Sequence, residues 1–256
     1  MVKLNTLNPA VSIKDSPAVI LVRPQLGENI GAVARAMLNF GWTDLRIVCP
    51  RDGWPNQIAV ATASGAGSIL DNAKICGSTE EACIDLNYVF ATTARNRDLS
   101  KEICSPERAM EKSILLVASG QRVGLLFGPE RAGLENSDIY LAQEIVSFPI
   151  NPNFSSLNLA QCVILMAYEW FKTNSSKDNL STYKEKILYA SRIEVEHLRL
   201  ALLKSLHSAN YFWPQSKQDS LTQNLNNLLG RLPLTSSDVR TLHGVIKALI
   251  KSSGRD

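Results

Sequence analysis

Histidine is scarce in this chain. Three occur in 256 residues, and His197, His207 and His243 all lie in the last quarter, so a reaction needing a histidine base has no support from the rest of the sequence. The five cysteines (Cys49, Cys76, Cys83, Cys104 and Cys162) are odd in number, scattered, and contain no C-x-x-C pair. That pattern disfavours both a disulfide framework and a zinc site, so no metal is expected and the thiols read as reduced in a cytoplasmic protein. Apolar runs stop at strand length or are interrupted by polar residues, so no membrane span is expected. The N-terminus has Lys3 but no apolar stretch before Asp15, so no signal peptide is expected either. No G-x-G-x-x-G follows the first strand and no Walker lysine motif occurs, which disfavours a dinucleotide or P-loop nucleotide site. The net charge of +3 permits a nucleic-acid partner without requiring one.

What is present is core material, with 45% hydrophobic residues against 20% charged. Residues 1–16 read as a loose polar arm. From 17 to 172, strand and helix signals alternate. AVILVR (Ala18 to Arg23) is an apolar strand, followed by a turn, a helix and its C-cap glycine over Gly27 to Gly41. DLRIV, NYVFATTA, RVGLLFG and EIVSFPI are further strands, and a weaker helix is predicted over roughly Asn56 to Leu70. Short apolar strands with helical crossovers predict an α/β fold, a mostly parallel sheet covered by helices on both faces. Residues 173–182 read as a Ser-rich linker. Residues 183–256 read as a small all-helical extension, with helices predicted near Tyr183–Ser208, Ser220–Leu229 and Ser236–Lys247.

Unusual chemistry gathers where strands end, the place where open α/β sheets bind ligands. RPQLGENIGAVARAM carries Asn29 and Arg35, about 120° apart on a helix. Arg35 sits between Ala34 and Ala36 with no acid at i−4 or i+4, so it either seeks a distant partner or phosphate, or lies along the surface. LLFGPERAGLENSD places Gly128, Glu130 and Gly133 after a strand, which suits close backbone approach to a ligand and equally suits a plain turn. FPINPNFSSLNLAQCVILMAYEW sets Ser155, Ser156 and Asn158 against an apolar helix, where one cap residue would suffice. ATTARNRD adds hydroxyls and arginines after another strand. A site of backbone, hydroxyls, a glutamate and arginines suits an RNA substrate with a cofactor carrying the chemistry.

The stretches NIGAVARAM, LLFGPERAGL and FPINPNFSSLNLAQCV resemble, in order and spacing, the three motifs of the SPOUT superfamily, in its SpoU/TrmH-like branch of RNA 2′-O-ribose methyltransferases. Within that branch the chain looks most like the tRNA (cytidine/uridine-2′-O-)-methyltransferases acting at position 32 of the anticodon loop. The tail, through NLNNLLGRLPLTSSDVRTLHGVI, resembles their extension. The resemblance implies a sheet whose C-terminal segment forms a trefoil knot, a homodimer, and S-adenosyl-L-methionine as methyl donor. It implies cofactor contacts from Thr92, Thr93, Ala94, Gly128, Phe148, Ser155, Ser156 and Leu157. Catalytic roles fall to Arg35, Asn29, Glu130, Ser156 and Asn158, with Arg35 acting on the ribose hydroxyl, and phosphate contacts to Arg23, Arg95 and Arg97. Arg192, Arg199, Lys204, Arg231, Arg240 and Lys247 in the tail are further candidates for RNA, or simply solvate its helices. Ribosomal RNA, another tRNA position, and a catalytically silent RNA-binding module are the competing readings.

Overall fold

The computed structural model describes residues 16–93, 101–175 and 188–253. Of the predicted site residues, Ala94, Arg95 and Arg97 lie outside them, as do the polar arm and most of the linker.

Seven strands form one parallel sheet: β1 (Ala18–Val22), β2 (Leu45–Val48), β3 (Lys74–Cys76), β4 (Tyr88–Thr92), β5 (Glu102–Cys104), β6 (Val123–Phe127) and β7 (Glu144–Val146). Their order is β3-β2-β1-β6-β4-β7-β5. The central strands β1 and β6 are buried throughout, because both faces of the sheet are covered and each strand must be apolar on both sides. On one face Val19, Leu21, Phe90, Leu125 and Phe127 pack against α1 (Gly27–Asn39), α2 (Gln57–Ala63), α3 (Gly67–Asp71), α5 (Pro106–Ala118) and α7 (Leu159–Ser175). On the other, Ile20, Val22, Val89, Leu126 and Ile145 meet α4 (Thr79–Cys83) and α6 (Asn136–Ile139). Alternate residues of each strand therefore feed two separate cores.

Two late strands are inserted between earlier ones, β6 between β1 and β4, and β7 between β4 and β5. Since all pairs are parallel, the segments following β1, β4, β6 and β7 leave the same edge of the sheet. That is the step which assembles the site. Close helix packing helps to hold it. A Cβ on Gly31 of α1 would overlap the Ala59 carbonyl of α2, so only glycine lets these two helices approach so nearly.

The predicted helix over Asn56–Leu70 is two helices. Ser64 (φ 47°) and Gly65 (φ 94°) take left-handed conformations that end α2 before α3 begins. Beyond the linker come α8 (Arg192–Ser208), a 3₁₀ turn (Gln215–Lys217), α9 (Gln218–Arg231) and α10 (Ser236–Ser253). Capping boxes at Ser191/Glu194 and Thr235/Asp238 start α8 and α10. Ala190, Val195, Leu198 and Val239 form a small separate core there. The extension is nonetheless fastened to the sheet: Arg192 N donates to Leu86 O at 2.9 Å, Tyr189 N to Gln121 Oε1 at 3.0 Å, and Gly230 sits against the Tyr140 carbonyl.

Candidate active site

A cleft of about 270 Å³ opens at the carboxyl edge, between the ends of β4, β6 and β7 and the start of α7. Thr92 and Thr93, Gly128 to Arg131, Phe148, and Ser155 to Leu157 line it. These come from three loops that the sequence singled out separately, and the parallel sheet delivers them together. The Thr92 hydroxyl donates to Leu126 O at 2.9 Å, leaving its oxygen able to accept. At Gly128 a Cβ would overlap the backbone of Gly133 and Leu134, so the loop after β6 folds this tightly only around glycine.

Beside the cleft, three predicted residues form a chain of hydrogen bonds. Glu130 Oε1 accepts from Asn29 Nδ2 at 2.7 Å and from Leu26 N at 3.2 Å, while Oε2 accepts from Gln25 N at 2.9 Å. Asn29 Oδ1 accepts from Asn158 Nδ2 at 2.9 Å. Asn158 Oδ1 accepts from Ala160 N at 2.9 Å and Gln161 N at 3.4 Å, which caps α7. One residue therefore does the capping. Ser155 and Ser156 are exposed at the cleft and their side chains make no hydrogen bond among the described residues.

Arg35 is exposed on α1, with neither an ion pair nor a hydrogen-bond partner among the described residues, whereas Asn29 on the same helix is buried. Arg23 is differently placed. Its guanidinium binds the buried Asp138 carboxylate (Nη2 to Oδ2, 2.5 Å), which also accepts from Thr79 and from Glu135 N. Burial works against the Arg23 charge, yet Asp138 holds its pKa above the ordinary value. Sequence reasoning overlooked Arg131, Leu159 and Cys162, all lining the cleft, whereas Gly133, which it singled out, lines it too. Leu159 and Cys162 share one face of α7 by their i, i+3 spacing, a signal that also fits a core helix. Burial pushes the Cys162 thiol up to about 11, so it stays protonated.

The residues fit an adenosyl cofactor. Phe148, Leu157 and Leu159 supply apolar walls, Gly128 and Gly133 exposed backbone, and the threonines and serines short polar groups. Among the described residues no cluster of three or more His, Cys, Asp or Glu could hold a metal ion.

Residues 16–168 match the SpoU rRNA Methylase family. The chain belongs to this family. It is 30% identical to the tRNA (cytidine/uridine/adenosine-2′-O-)-methyltransferase TrmJ of Pseudomonas aeruginosa, over 91% of this chain and 93% of that one. It is 31% identical to the tRNA (cytidine/uridine-2′-O-)-methyltransferase TrmJ of Salmonella choleraesuis, over 90% and 95%. The crystal structure of TrmJ from Z. mobilis superposes with a TM-score of 0.81 at 45% identity, covering 91% of this chain and 99% of that one. The fold is thus of the SPOUT type, with the trefoil knot expected of it, and the similarity to the TrmJ group runs through the helical extension.

Proposed function

We propose that this protein is an S-adenosyl-L-methionine-dependent tRNA 2′-O-methyltransferase acting on cytidine or uridine, at position 32 of the anticodon loop. The observation that carries it is the cleft at the carboxyl edge, lined by threonines, serines and glycines, with the Glu130–Asn29–Asn158 chain beside it. When bound, the cofactor supplies an electrophilic methyl group. Thr92, Thr93, Gly128, Phe148 and Ser155 to Leu157 hold it, with Ala94 assigned by motif.

The chain's own residues then have separate tasks. Arg35 orients the ribose 2′-hydroxyl and stabilises negative charge as that oxygen loses its proton. A guanidinium stays protonated and so works by charge and direction. Glu130 and Asn158 fix Asn29, and these three set the geometry between α1, the loop after β6 and α7. Ser156 lies between cofactor and nucleoside. Arg95 and Arg97 contact phosphate, as does Arg23 once its tie to Asp138 is shared with the RNA.

The protein acts as a homodimer in the cytoplasm. Leu38 on α1 and Ile164, Leu165, Tyr168 and Phe171 on α7 form an exposed apolar face that supports a subunit contact. No helix among the described residues is long and apolar enough to cross a membrane. The test is nucleoside mass spectrometry of mapped tRNA fragments from cells with and without the gene, beside methyl transfer by the purified protein. Loss of 2′-O-methylation at residue 32 is expected. Loss confined to ribosomal RNA or to another tRNA position would replace the substrate assignment.

A further inference from the structure

Two of the basic residues that the sequence offered for RNA on the extension are engaged elsewhere. Arg192 is buried against the catalytic domain. Arg199 is paired with Glu196 (Nη2 to Oε1, 2.6 Å) and donates to Asn226. What the extension does present is aromatic. Trp213 is 78% exposed and Tyr211 50% exposed, on the turn between α8 and α9. The turn is anchored: Asn210 takes a left-handed conformation, Tyr211 N donates to Leu206 O at 3.0 Å, and Phe212 is buried between them. Phe212 contacts the rings of His207 (4.7 Å) and Tyr211 (5.3 Å). Exposing two large rings to water on either side of a fixed one is costly, and no core requires it.

Along this stretch of chain, between Glu196 and Asp219, the charge is one-sided. From His197 to Gln218 there is no Asp or Glu, while Lys204, His207 and Lys217 are exposed. Lys204 and His207 stand at i and i+3 on the last turns of α8, leading into the aromatic turn. Aromatic faces with lysines and no acids suit an unpaired base with its phosphates, since stacking serves any base and cations follow the backbone.

We infer that Tyr211 and Trp213 form a stacking platform for unpaired nucleobases of the substrate RNA, flanked by phosphate contacts from Lys204 and Lys217. This rests on the tRNA reading above and adds a second contact, on the extension, to the one at the cleft. The occupant is RNA rather than a second copy because the patch is basic as well as aromatic.

The test uses the full-length protein and a labelled tRNA transcript, followed by fluorescence anisotropy. Trp213→Ala should raise Kd about tenfold, the scale of one lost stacking contact. Trp213→Phe, which keeps a π face, should recover most of that loss. Lys204→Ala with Lys217→Ala should make the salt dependence of binding shallower by about two in log–log slope, roughly one for each lost phosphate contact. S-adenosylhomocysteine affinity should be unchanged in every variant, reporting an intact fold. A Kd for Trp213→Ala within twofold of wild type would overturn the platform. So would an unchanged Kd accompanied by loss of the dimer in sedimentation, which would give the patch to a second copy. Methyl transfer by the wild type is measured alongside. If it modifies tRNA and Kd does not move, the platform alone fails; if it transfers no methyl group to tRNA, the functional reading fails first.

Discussion

The two edges of the sheet differ in what they do with charge. At the amino edge nearly every polar group is spent on another. Arg46 binds Asp44 at 2.8 Å and Asp85 at 2.5 Å, and Lys74 and Arg122 join the same acids. Nearby, Tyr88 Oη donates to Glu144 at 2.5 Å and Lys112 binds both. Ser155 and Ser156 at the carboxyl edge, and Arg35 further along α1, stand exposed without partners among the described residues. Saturated charges fix strands in place, and unsaturated ones remain available to a ligand. The same parallel topology produces both, since it sends all strand starts one way and all strand ends the other.

Substitution should separate the edges. Arg35→Ala removes a group that no folded-state contact uses. Single-turnover methylation is expected to fall about a thousandfold, roughly 4 kcal/mol of transition-state stabilisation. Melting temperature and S-adenosylhomocysteine affinity should hold. Near-normal chemistry in that variant would pass the role to Arg97 or to the partner subunit.

Arg46→Met should do the reverse, costing about 2 kcal/mol of stability by leaving Asp44 and Asp85 facing each other while the folded fraction keeps its activity. Burial raises the pKa of both acids, but the hydrogen bonds and charge of Arg46 outweigh it and hold them below the carboxylate range. Their contribution is therefore complete above the unfolded carboxylate pKa, about 4, and is lost as pH falls through the lower folded values. Chemical denaturation between pH 5 and 3 should show a shallower acid decline in Arg46→Met than in wild type.

Glu130→Gln tests a saturated group at the carboxyl edge, for its carboxylate accepts three N–H groups and an amide nitrogen cannot. About 1–2 kcal/mol of stability should go, read as a lower melting temperature, with methylation falling too. A separate test, of pH dependence, concerns Lys101, whose amine donates to the carbonyls of Tyr140 and Ala142. Burial, then the charges of Arg192 and Arg231, push its pKa down to about 7. Two acceptors match the two N–H groups of a neutral amine. Because the unfolded chain holds that proton up to about 10.4, stability should rise from pH 7 toward pH 10, and Lys101→Met should flatten the rise.

Much of the fold was legible because buried parallel strands are written as uninterrupted apolar runs, as in AVILV and VGLLF. The edge strands β3 and β5 were not, since three residues with an exposed, exposed, buried pattern carry no usable period. Site residues stood out singly, through glycines and hydroxyls after strands, but their contacts did not. Glu130 and Asn29 are 101 positions apart, and Asn29 and Asn158 are 129 apart, distances at which local spacing says nothing. Arg192 was misread because helical periodicity does not distinguish it, turned into the protein, from Lys204, turned out.

The Glu130–Asn29–Asn158 chain has a direction. A carboxylate can only accept and a backbone amide can only donate, so the two ends of the series are fixed. The Asn29 nitrogen must face Glu130, its oxygen must then face Asn158, and the oxygen of Asn158 must face the first amides of α7. Neither asparagine is free to rotate its amide by half a turn. An aspartate at either position would set acceptor against acceptor. Three segments far apart in sequence are thereby joined like parts of a one-way lock, and the aligned dipoles run unbroken from the start of α7 to a single negative charge beside the cleft.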